Sequence, residues 1–165
     1  MPERLKQIHH WIRHSLGIPE YTLAPASAYA SFRRYFRLTC NGESRIVMDA
    51  PPERESCDAY IDVAARLHLA GVHVPAILDK DMDQGFLLLS DLGTQLYLDA
   101  LTEGSAGWLY DDALRALAEI QTRADIQGLP PYDARLLLQE MMLFPDWLLN
   151  RHLQISLPLE QQDEL

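Results

Sequence analysis

Four arginines give this sequence its first chemical signal. Basic residues are otherwise scattered along the chain, but Arg33, Arg34, Arg37 and Arg45 lie close together. Just before them, residues 26–31 read Ala-Ser-Ala-Tyr-Ala-Ser, a loop of small residues. The backbone N–H groups of such a loop can approach phosphate while an arginine supplies positive charge. An ordinary β-turn is the alternative, because the loop has none of the glycines that phosphate-binding loops use.

A carboxylate at the end of a strand is the second signal. Residues 45–53 read Arg-Ile-Val-Met-Asp-Ala-Pro-Pro-Glu, an apolar strand pattern with Asp49 near its end. Read from composition alone, Asp49 is a polar strand end before two prolines that stop the strand. A carboxylate placed among apolar residues is also a candidate functional group.

Two patterns resemble metal sites but are incomplete. His10 and His14 stand one helical turn apart, yet no carboxylate completes an H-E-x-x-H pattern, so an exposed helix face is the favoured interpretation. Asp79, Asp81 and Asp83 alternate like the first ligands of an EF-hand loop, but Gln and Ser stand where that loop needs Gly and Glu. We therefore predict a polar hairpin turn there and assign no metal site.

Composition indicates an ordinary globular protein. The 165 residues are 48% hydrophobic and 23% charged. The chain has 24 acidic and 14 basic residues, and its formal charge of −10 disfavours nucleic acid as a partner. Cys40 and Cys57 belong to no C-x-x-C pattern, which favours a reducing cytoplasm. No secretory signal or membrane-length apolar run is seen, so no membrane partner is predicted.

The first part of the chain reads as an N-terminal helix followed by an antiparallel sheet of five strands with one helix against it. Asn41-Gly42 is a strong signal for a tight hairpin between two of the strands. Connections long enough for a parallel sheet are missing. The predicted helices are residues 2–16 and 56–70, the latter with Ser56 as N-cap, and the predicted strands are 20–25, 33–39, 44–49, 72–78 and 85–90.

Helical patterns dominate after a linker at residues 90–94. We predict helices at 95–101, 106–124 and 132–153, with Pro145 breaking the third. The apolar residues of 136–144 are more typical of a core than of a ligand pocket. The fold class is therefore α+β, with a β-rich part followed by a helical part.

Several longer motifs resemble the aminoglycoside phosphotransferase family of kinase-like enzymes. They include the Ala-Gly-Val-His-Val-Pro segment at 70–75 and the Phe-Leu-Leu-Leu-Ser-Asp-Leu-Gly segment at 86–93. Within that family the chain is similar to the bacterial N-acetylmuramate/N-acetylglucosamine anomeric kinases of cell-wall recycling. The motifs that carry this similarity are Ser-Phe-Arg-Arg-Tyr-Phe-Arg, Val-Met-Asp-Ala-Pro-Pro, Leu-Tyr-Leu-Asp-Ala-Leu, Leu-Pro-Pro-Tyr-Asp and Leu-Phe-Pro-Asp-Trp.

This resemblance implies a protein-kinase-like architecture. Residues 1–89 would form a nucleotide-binding N-lobe with its N-terminal helix, 90–94 a hinge, and 95–165 the start of a helical C-lobe. ATP and Mg²⁺ are the implied cofactors of the complete enzyme, with an amino sugar as substrate. The implied nucleotide-binding residues are Ser27, Ala28, Tyr29, Ala30 and Ser31 over the phosphates, Arg33, Arg34 and Asp49 near them, and Ser90, Asp91 and Leu92 at the adenine.

The sequence departs from the family pattern at the phosphate-binding cation. Related strands carry a Lys or Arg that pairs with a helix Glu. Our alignment puts Asp49 at the cation position and Tyr60 near the expected Glu. The hypothesis is that Arg33, Arg34, Arg37 or Arg45 replaces the cation, and that Asp49 acts through Mg²⁺ or by orienting one of these arginines.

The family's H-x-D-x-x-x-x-N catalytic loop does not occur in this sequence. His152 is followed by Leu-Gln-Ile-Ser-Leu, so no catalytic residue is assigned. We therefore expect an N-terminal piece of a kinase that is inactive alone and that exposes apolar surface at 132–153, which favours self-association. The alternatives are an aminoglycoside or other small-molecule kinase and a non-catalytic nucleotide-binding or interaction module.

Overall fold

An antiparallel sheet of five strands organises the first part of the chain, as the strand patterns predict. The computed structural model describes residues 3–27, 32–155 and 157–158. The strands follow in the spatial order β1-β2-β3-β5-β4. Their bounds are β1 Thr22–Ser27, β2 Arg34–Cys40, β3 Glu43–Asp49, β4 Ile77–Asp81 and β5 Phe86–Ser90.

The β2–β3 hairpin turns at the predicted dipeptide. Asn41 and Gly42 have φ values of 51° and 80°, the left-handed backbone that this tight hairpin turn requires. The turn sets a register in which Arg34 lies opposite Asp49 and Arg37 opposite Ile46. Because directly opposed residues share a face of the sheet, the turn also decides which side chains meet.

One face of the sheet is covered by the N-terminal helix α1, Glu3–His14. Its buried residues recur at helical spacing, so that a single stripe meets the strands. Trp11 packs against Phe86 with ring centroids 5.5 Å apart. The buried cluster on this α1 face consists of Ile8, Trp11, Ile12, Leu38, Val47, Phe86 and Leu88.

The opposite face is covered by helix α2, Asp58–Leu69. The N-cap residue is Cys57 and not the predicted Ser56, which lies one residue earlier. The Ser56 hydroxyl still accepts the N–H of Asp58 at 3.0 Å. The buried cluster on this α2 face consists of Met48, Ala50, Cys57, Leu87 and Leu89. The sheet thus has a helix on each face, rather than on one face alone.

The strand predicted at 72–78 is shorter and begins later. After α2, the N–H of Val72 donates to the Leu67 carbonyl at 3.0 Å, and Gly71 has a φ of 89°. This is a helix C-cap, which keeps residue 72 out of the sheet. Pro75 has no N–H to offer a strand ladder, so β4 starts only at Ile77.

The helices predicted after residue 94 are present, and the predicted helix at 132–153 is interrupted near Pro145. Helices α3, Tyr97–Ala100, and α4, Ala106–Arg123, belong to a first compact unit, Met1–Asp125. A second unit, Ile126–Leu165, contains α5, Ala134–Met141, and the π-helical segment α6, Phe144–His152, with Pro145 in its first turn. In the described part of the chain, no helix combines the length and apolarity that crossing a membrane requires.

The apolar run at 136–144 is not a buried core, which corrects the expectation for its residues. Leu138 is 59% exposed, and five further apolar side chains of the run are exposed with it: Leu137, Met141, Met142, Leu143 and Phe144. A unit of this size has too little interior to enclose them. The exposed apolar surface expected at 132–153 is therefore present.

Candidate functional site

A cavity of about 360 Å³ opens on the α2 face of the sheet, beside the segment that follows β5. Ile46 and Leu89, which are paired across β3 and β5, give it an apolar wall. Other lining residues are Tyr35, Arg37, Tyr60, Ser90, Asp91 and Leu92. Apolar walls with a few polar groups at the edge are typical of small-molecule sites.

Strand β3 sends adjacent side chains to opposite faces. Met48 packs with Leu87 in the cluster on the α2 face, the face that carries the cavity. Asp49 is opposite Phe86, a member of the cluster on the α1 face. Because side chains alternate along a strand, the cavity side of β3 presents Met48 and not Asp49. Neither Met48 nor Asp49 therefore supplies a positive charge to the cavity.

Asp49 is the centre of a buried ion-pair cluster on the α1 face, and its side chain is fully buried. Arg4 of α1 donates from Nε to Oδ1 at 3.1 Å, and Arg34 of β2 donates from Nε to Oδ2 at 2.9 Å. The Nη2 atom of each arginine donates to the same oxygen as its Nε. Arg4 also donates to the Gln84 carbonyl at 2.7 Å. The carboxylate therefore ties α1 to β2 and β3.

Arg33 lies on the other side of the sheet, next to α2. Its Nε is 2.5 Å from Oε2 of Glu55, and its guanidinium lies 6.0 Å from the ring centroid of Tyr60. A second cavity, of about 390 Å³, is lined by Arg33, Tyr60 and apolar residues of α2. Burial, and then the neighbouring Tyr35, raises the pKa of Tyr60. An arginine–glutamate pair thus lies near Tyr60, the residue that the sequence alignment puts near the expected glutamate.

Arg37 joins β2 to the segment after β5. Its Nε donates to Oδ2 of Asp91 at 2.6 Å and its Nη2 to Oδ1 at 3.0 Å. The hydrogen bonds from Arg37 hold the pKa of Asp91 well below its usual range, although burial opposes this. The same pairing raises the pKa of Arg37. Both residues line the 360 Å³ cavity.

The four clustered arginines are thereby divided between the two sides of the sheet. Arg45 is opposite the buried Leu38 on the α1 face and pairs with the exposed Glu43 at 3.2 Å. Arg34 is on the same face, held by Asp49. Arg33 and Arg37 line cavities on the α2 side.

The other predicted site residues lie around the same cavity or outside the described residues. Ser90, Asp91 and Leu92 line it together, in the segment predicted as a hinge. Ser27 is the last residue of β1, and its backbone pairs with Tyr35. The remaining loop residues, Ala28, Tyr29, Ala30 and Ser31, lie outside the described part of the chain.

The two sequence patterns that resemble metal sites lie on the exposed surface of α1 and in the turn between β4 and β5. The His10 and His14 rings lie 4.4 Å apart on an exposed part of α1. Asp81 accepts the N–H of Gln84 at 2.9 Å, which forms the polar turn predicted between β4 and β5. Within residues 3–27, 32–155 and 157–158, no group of three or more His, Cys, Asp or Glu side chains is placed to hold a metal ion.

Two residues that matter here were absent from the sequence predictions. Arg4 is one turn before Ile8 on the buried stripe of α1, and a cation on such a stripe is a signal for a buried acidic partner. Glu55 follows two prolines in an irregular segment. Because no periodic pattern governs that segment, the sequence carried no signal for its pairing with Arg33.

A comparison with known families matches residues 22–165 to the phosphotransferase enzyme family. Three curated proteins are similar to this chain, each called an N-acetylmuramate/N-acetylglucosamine kinase. The protein from Pseudomonas aeruginosa is 47% identical over 93% of this chain and 48% of its own length. That from Pseudomonas putida is 41% identical over 94% of this chain and 50% of its own length.

The third relative, from Neisseria meningitidis, is 33% identical over 97% of this chain and 49% of its own length. All three similarities extend over nearly the whole of this chain. The chain spans about half the length of the curated relatives that it matches.

Proposed function

This chain belongs to the phosphotransferase enzyme family, and on that premise we propose that its β-rich part binds ATP for the phosphorylation of a small molecule. The observation that carries the proposal is the 360 Å³ cavity between the α2 face and the segment after β5. A purine base fits such a place, because apolar walls contact its faces while adjoining backbone groups hydrogen-bond its edge. In this proposal Ser90, Asp91 and Leu92 lie along the adenine.

In this proposal the phosphates lie toward the small-residue segment 27–31, since small side chains allow backbone N–H groups to approach a phosphate. Arg33 lies two residues after this segment, just before β2, and is the arginine that we assign to the phosphates. Its ion pair with Glu55 joins a cation and a glutamate, as the Lys–Glu ion pair of kinase-like enzymes does. Arg34 and Asp49 act indirectly, because they pair with each other and with Arg4 on the opposite face of the sheet.

The substrate of the complete protein is proposed from its relatives. Their shared name supports N-acetylmuramate or N-acetylglucosamine as the phosphate acceptor, and the resemblance of the motifs supports the anomeric hydroxyl. Peptidoglycan recycling in the cytoplasm is the corresponding role. Mg²⁺ would accompany the ATP phosphates, but the described residues present no cluster that fits it, so we derive no step through the metal.

The reacting groups are not assigned to this chain. Catalysis of phosphoryl transfer depends mostly on positioning the reactants and stabilising their charge. In this proposal the β-rich part positions the nucleotide. A general base for the acceptor hydroxyl has no candidate in the H-x-D-x-x-x-x-N form within this sequence. We therefore propose that the 165-residue chain alone does not transfer phosphate.

A coupled ADP-release assay on the full-length protein tests the proposal. N-acetylmuramate, N-acetylglucosamine and kanamycin are offered as separate acceptors, with an acceptor-free reaction as control. We expect ADP release with the amino sugars and none with kanamycin. Release with kanamycin alone would identify the aminoglycoside alternative, and ATP binding without release on any acceptor would favour a non-catalytic module.

Arg33→Ala tests the phosphate assignment in the same assay. Loss of one charge-assisted contact should raise the KM for ATP about tenfold. Arg34→Ala is the matched comparison, since it removes an adjacent arginine of the opposite face and should reduce stability rather than ATP affinity. Equal effects of the two variants on the KM for ATP would contradict the assignment of Arg33.

A further inference from the structure

Arg37 and Asp91 form a clamp at the edge of the 360 Å³ cavity. The Arg37 guanidinium donates to both carboxylate oxygens of Asp91, at 2.6 and 3.0 Å. Its Nη2 also donates to the carbonyl of Gly93 at 3.1 Å. We propose that Arg37 and Asp91 are positioning residues that fix the backbone reading the nucleotide base, and so set a preference for adenine over guanine. This inference rests on the ATP site proposed above.

The clamp fastens Gly93 at both of its backbone polar groups. The Gly93 N–H donates to Oδ1 of Asp91 at 2.9 Å, and its carbonyl accepts from Arg37. Leu92 lies between these two fastened residues and lines the cavity. Backbone groups that recognise a ligand edge must be held to within about 0.5 Å of their productive geometry. Because β2 is itself paired on both sides, it is a firm anchor for this clamp.

Burial and charge make the clamp stronger than a surface ion pair. The Asp91 side chain is 5% exposed and the Arg37 side chain 26% exposed. Hydrogen bonds from Arg37, the Gly93 N–H and Ser44 lower the pKa of the Asp91 carboxyl. The fork of an arginine holds a carboxylate in one orientation, which a lysine cannot do. The hydrogen-bonded segment is therefore set by a particular side-chain geometry and not by charge alone.

A clamp and a phosphate ligand make different predictions for Arg37. A phosphate ligand contributes equally to ATP, GTP and free tripolyphosphate, because all three carry the same charged groups. A clamp on the base-reading segment contributes to ATP alone, since adenine presents an amino donor where guanine presents a carbonyl acceptor. Arg37 is committed to Asp91 and the Gly93 carbonyl, which favours the clamp.

The experiment measures binding of ATP, GTP and tripolyphosphate to the full-length protein by calorimetry, together with KM and kcat for both nucleotides. The variants are Arg37→Ala, Arg37→Lys and Asp91→Asn. Arg123→Ala is the control, because it removes an exposed arginine of α4 that pairs with Glu119 one helical turn away and does not line the cavity. Arg37→Lys keeps the charge and the aliphatic stem, so nucleotide binding can be measured in this variant even if Arg37→Ala does not fold.

We expect each clamp variant to weaken ATP binding about tenfold and to bring the ATP:GTP preference toward one. Tripolyphosphate affinity and kcat should stay unchanged, and the control should match wild type in every measurement. An unchanged ATP:GTP preference in Arg37→Lys and Asp91→Asn, equal losses for ATP and tripolyphosphate, or a wild type without base preference would overturn the clamp while leaving the ATP site standing. A wild type that binds neither ATP nor tripolyphosphate would overturn the proposed function and the clamp with it.

Discussion

Replacing Asp49 with alanine should destabilise the fold strongly, because its carboxylate is the common acceptor for two arginines. Arg4 and Arg34 each donate to it from two nitrogens, and the Asp49 side chain is fully buried. Removing one partner of a buried ion pair costs about 3 to 5 kcal/mol, since it leaves charge behind without compensation. The arginines are 23% and 40% exposed, so water can solvate part of the charge that remains. We therefore place Asp49→Ala at the lower end, about 3 kcal/mol.

Urea unfolding of the full-length protein, followed by far-UV circular dichroism, measures this cost. Glu43→Ala is the control, because it removes an exposed carboxylate partner of Arg45 from the same strand and should change the free energy of unfolding by less than about 1 kcal/mol. A double-mutant cycle between Asp49→Ala and Arg34→Ala isolates their interaction, and we expect a coupling of about 1 to 3 kcal/mol.

The reasoning would be refuted by an Asp49→Ala variant as stable as Glu43→Ala, or by a coupling energy near zero. Either result would mean that the carboxylate is not the acceptor that holds α1 and β2 to β3. Asp49→Lys, which places a third cation beside the two arginines, should be less stable than Asp49→Ala.

Three further predictions concern the same unit. Gly85→Ala should destabilise by about 2 to 4 kcal/mol in urea unfolding, because Gly85 has a φ of 69° and an added Cβ would lie 1.9 Å from the Ala50 carbonyl oxygen. Gly42→Ala, at the open hairpin turn, is its control and should cost less. Trp11→Ala should destabilise by about 3 to 5 kcal/mol, since Trp11 is fully enclosed by the α1-face cluster. The pKa of the Asp91 carboxyl is lower in the folded chain than in the unfolded chain, so the ionised carboxylate stabilises the fold above the unfolded pKa of about 4. This stabilisation is lost as pH falls below that value. Unfolding free energy should therefore fall more steeply between pH 4 and 2 in wild type than in Asp91→Asn, and parallel curves would contradict this.

The sheet could be predicted from local sequence because each strand carries its own apolar pattern and the turns carry strong signals. The Asn41-Gly42 hairpin even fixes the register, since a two-residue turn forces Arg34 to face Asp49. The strand predicted at 72–78 failed where a helix cap and Pro75 override the apolar pattern. Local propensity thus determined the elements, and capping decided their ends.

The site was less accessible to sequence reasoning because its contacts span long distances along the chain. Arg4 and Asp49 are 45 residues apart, and Arg37 and Asp91 are 54 residues apart. An alignment alone places Asp49 in the phosphate region, but only the alternation of β3 assigns its side chain to a face. The segment at 90–92 belongs to a motif that the sequence shows, whereas the hydrogen bonds between Asp91 and Arg37 of β2 are seen only in the folded sheet.

Amide hydrogen exchange of the full-length protein, with and without a non-hydrolysable ATP analogue, tests the central claim most directly. Bound nucleotide should slow exchange at residues 88–93 and 32–37, which border the cavity on the α2 face. Helix α1, on the opposite face, should exchange at the same rate in both samples. Saturating nucleotide that leaves residues 88–93 unchanged, or that protects α1 instead, would contradict the placement of ATP in this cavity.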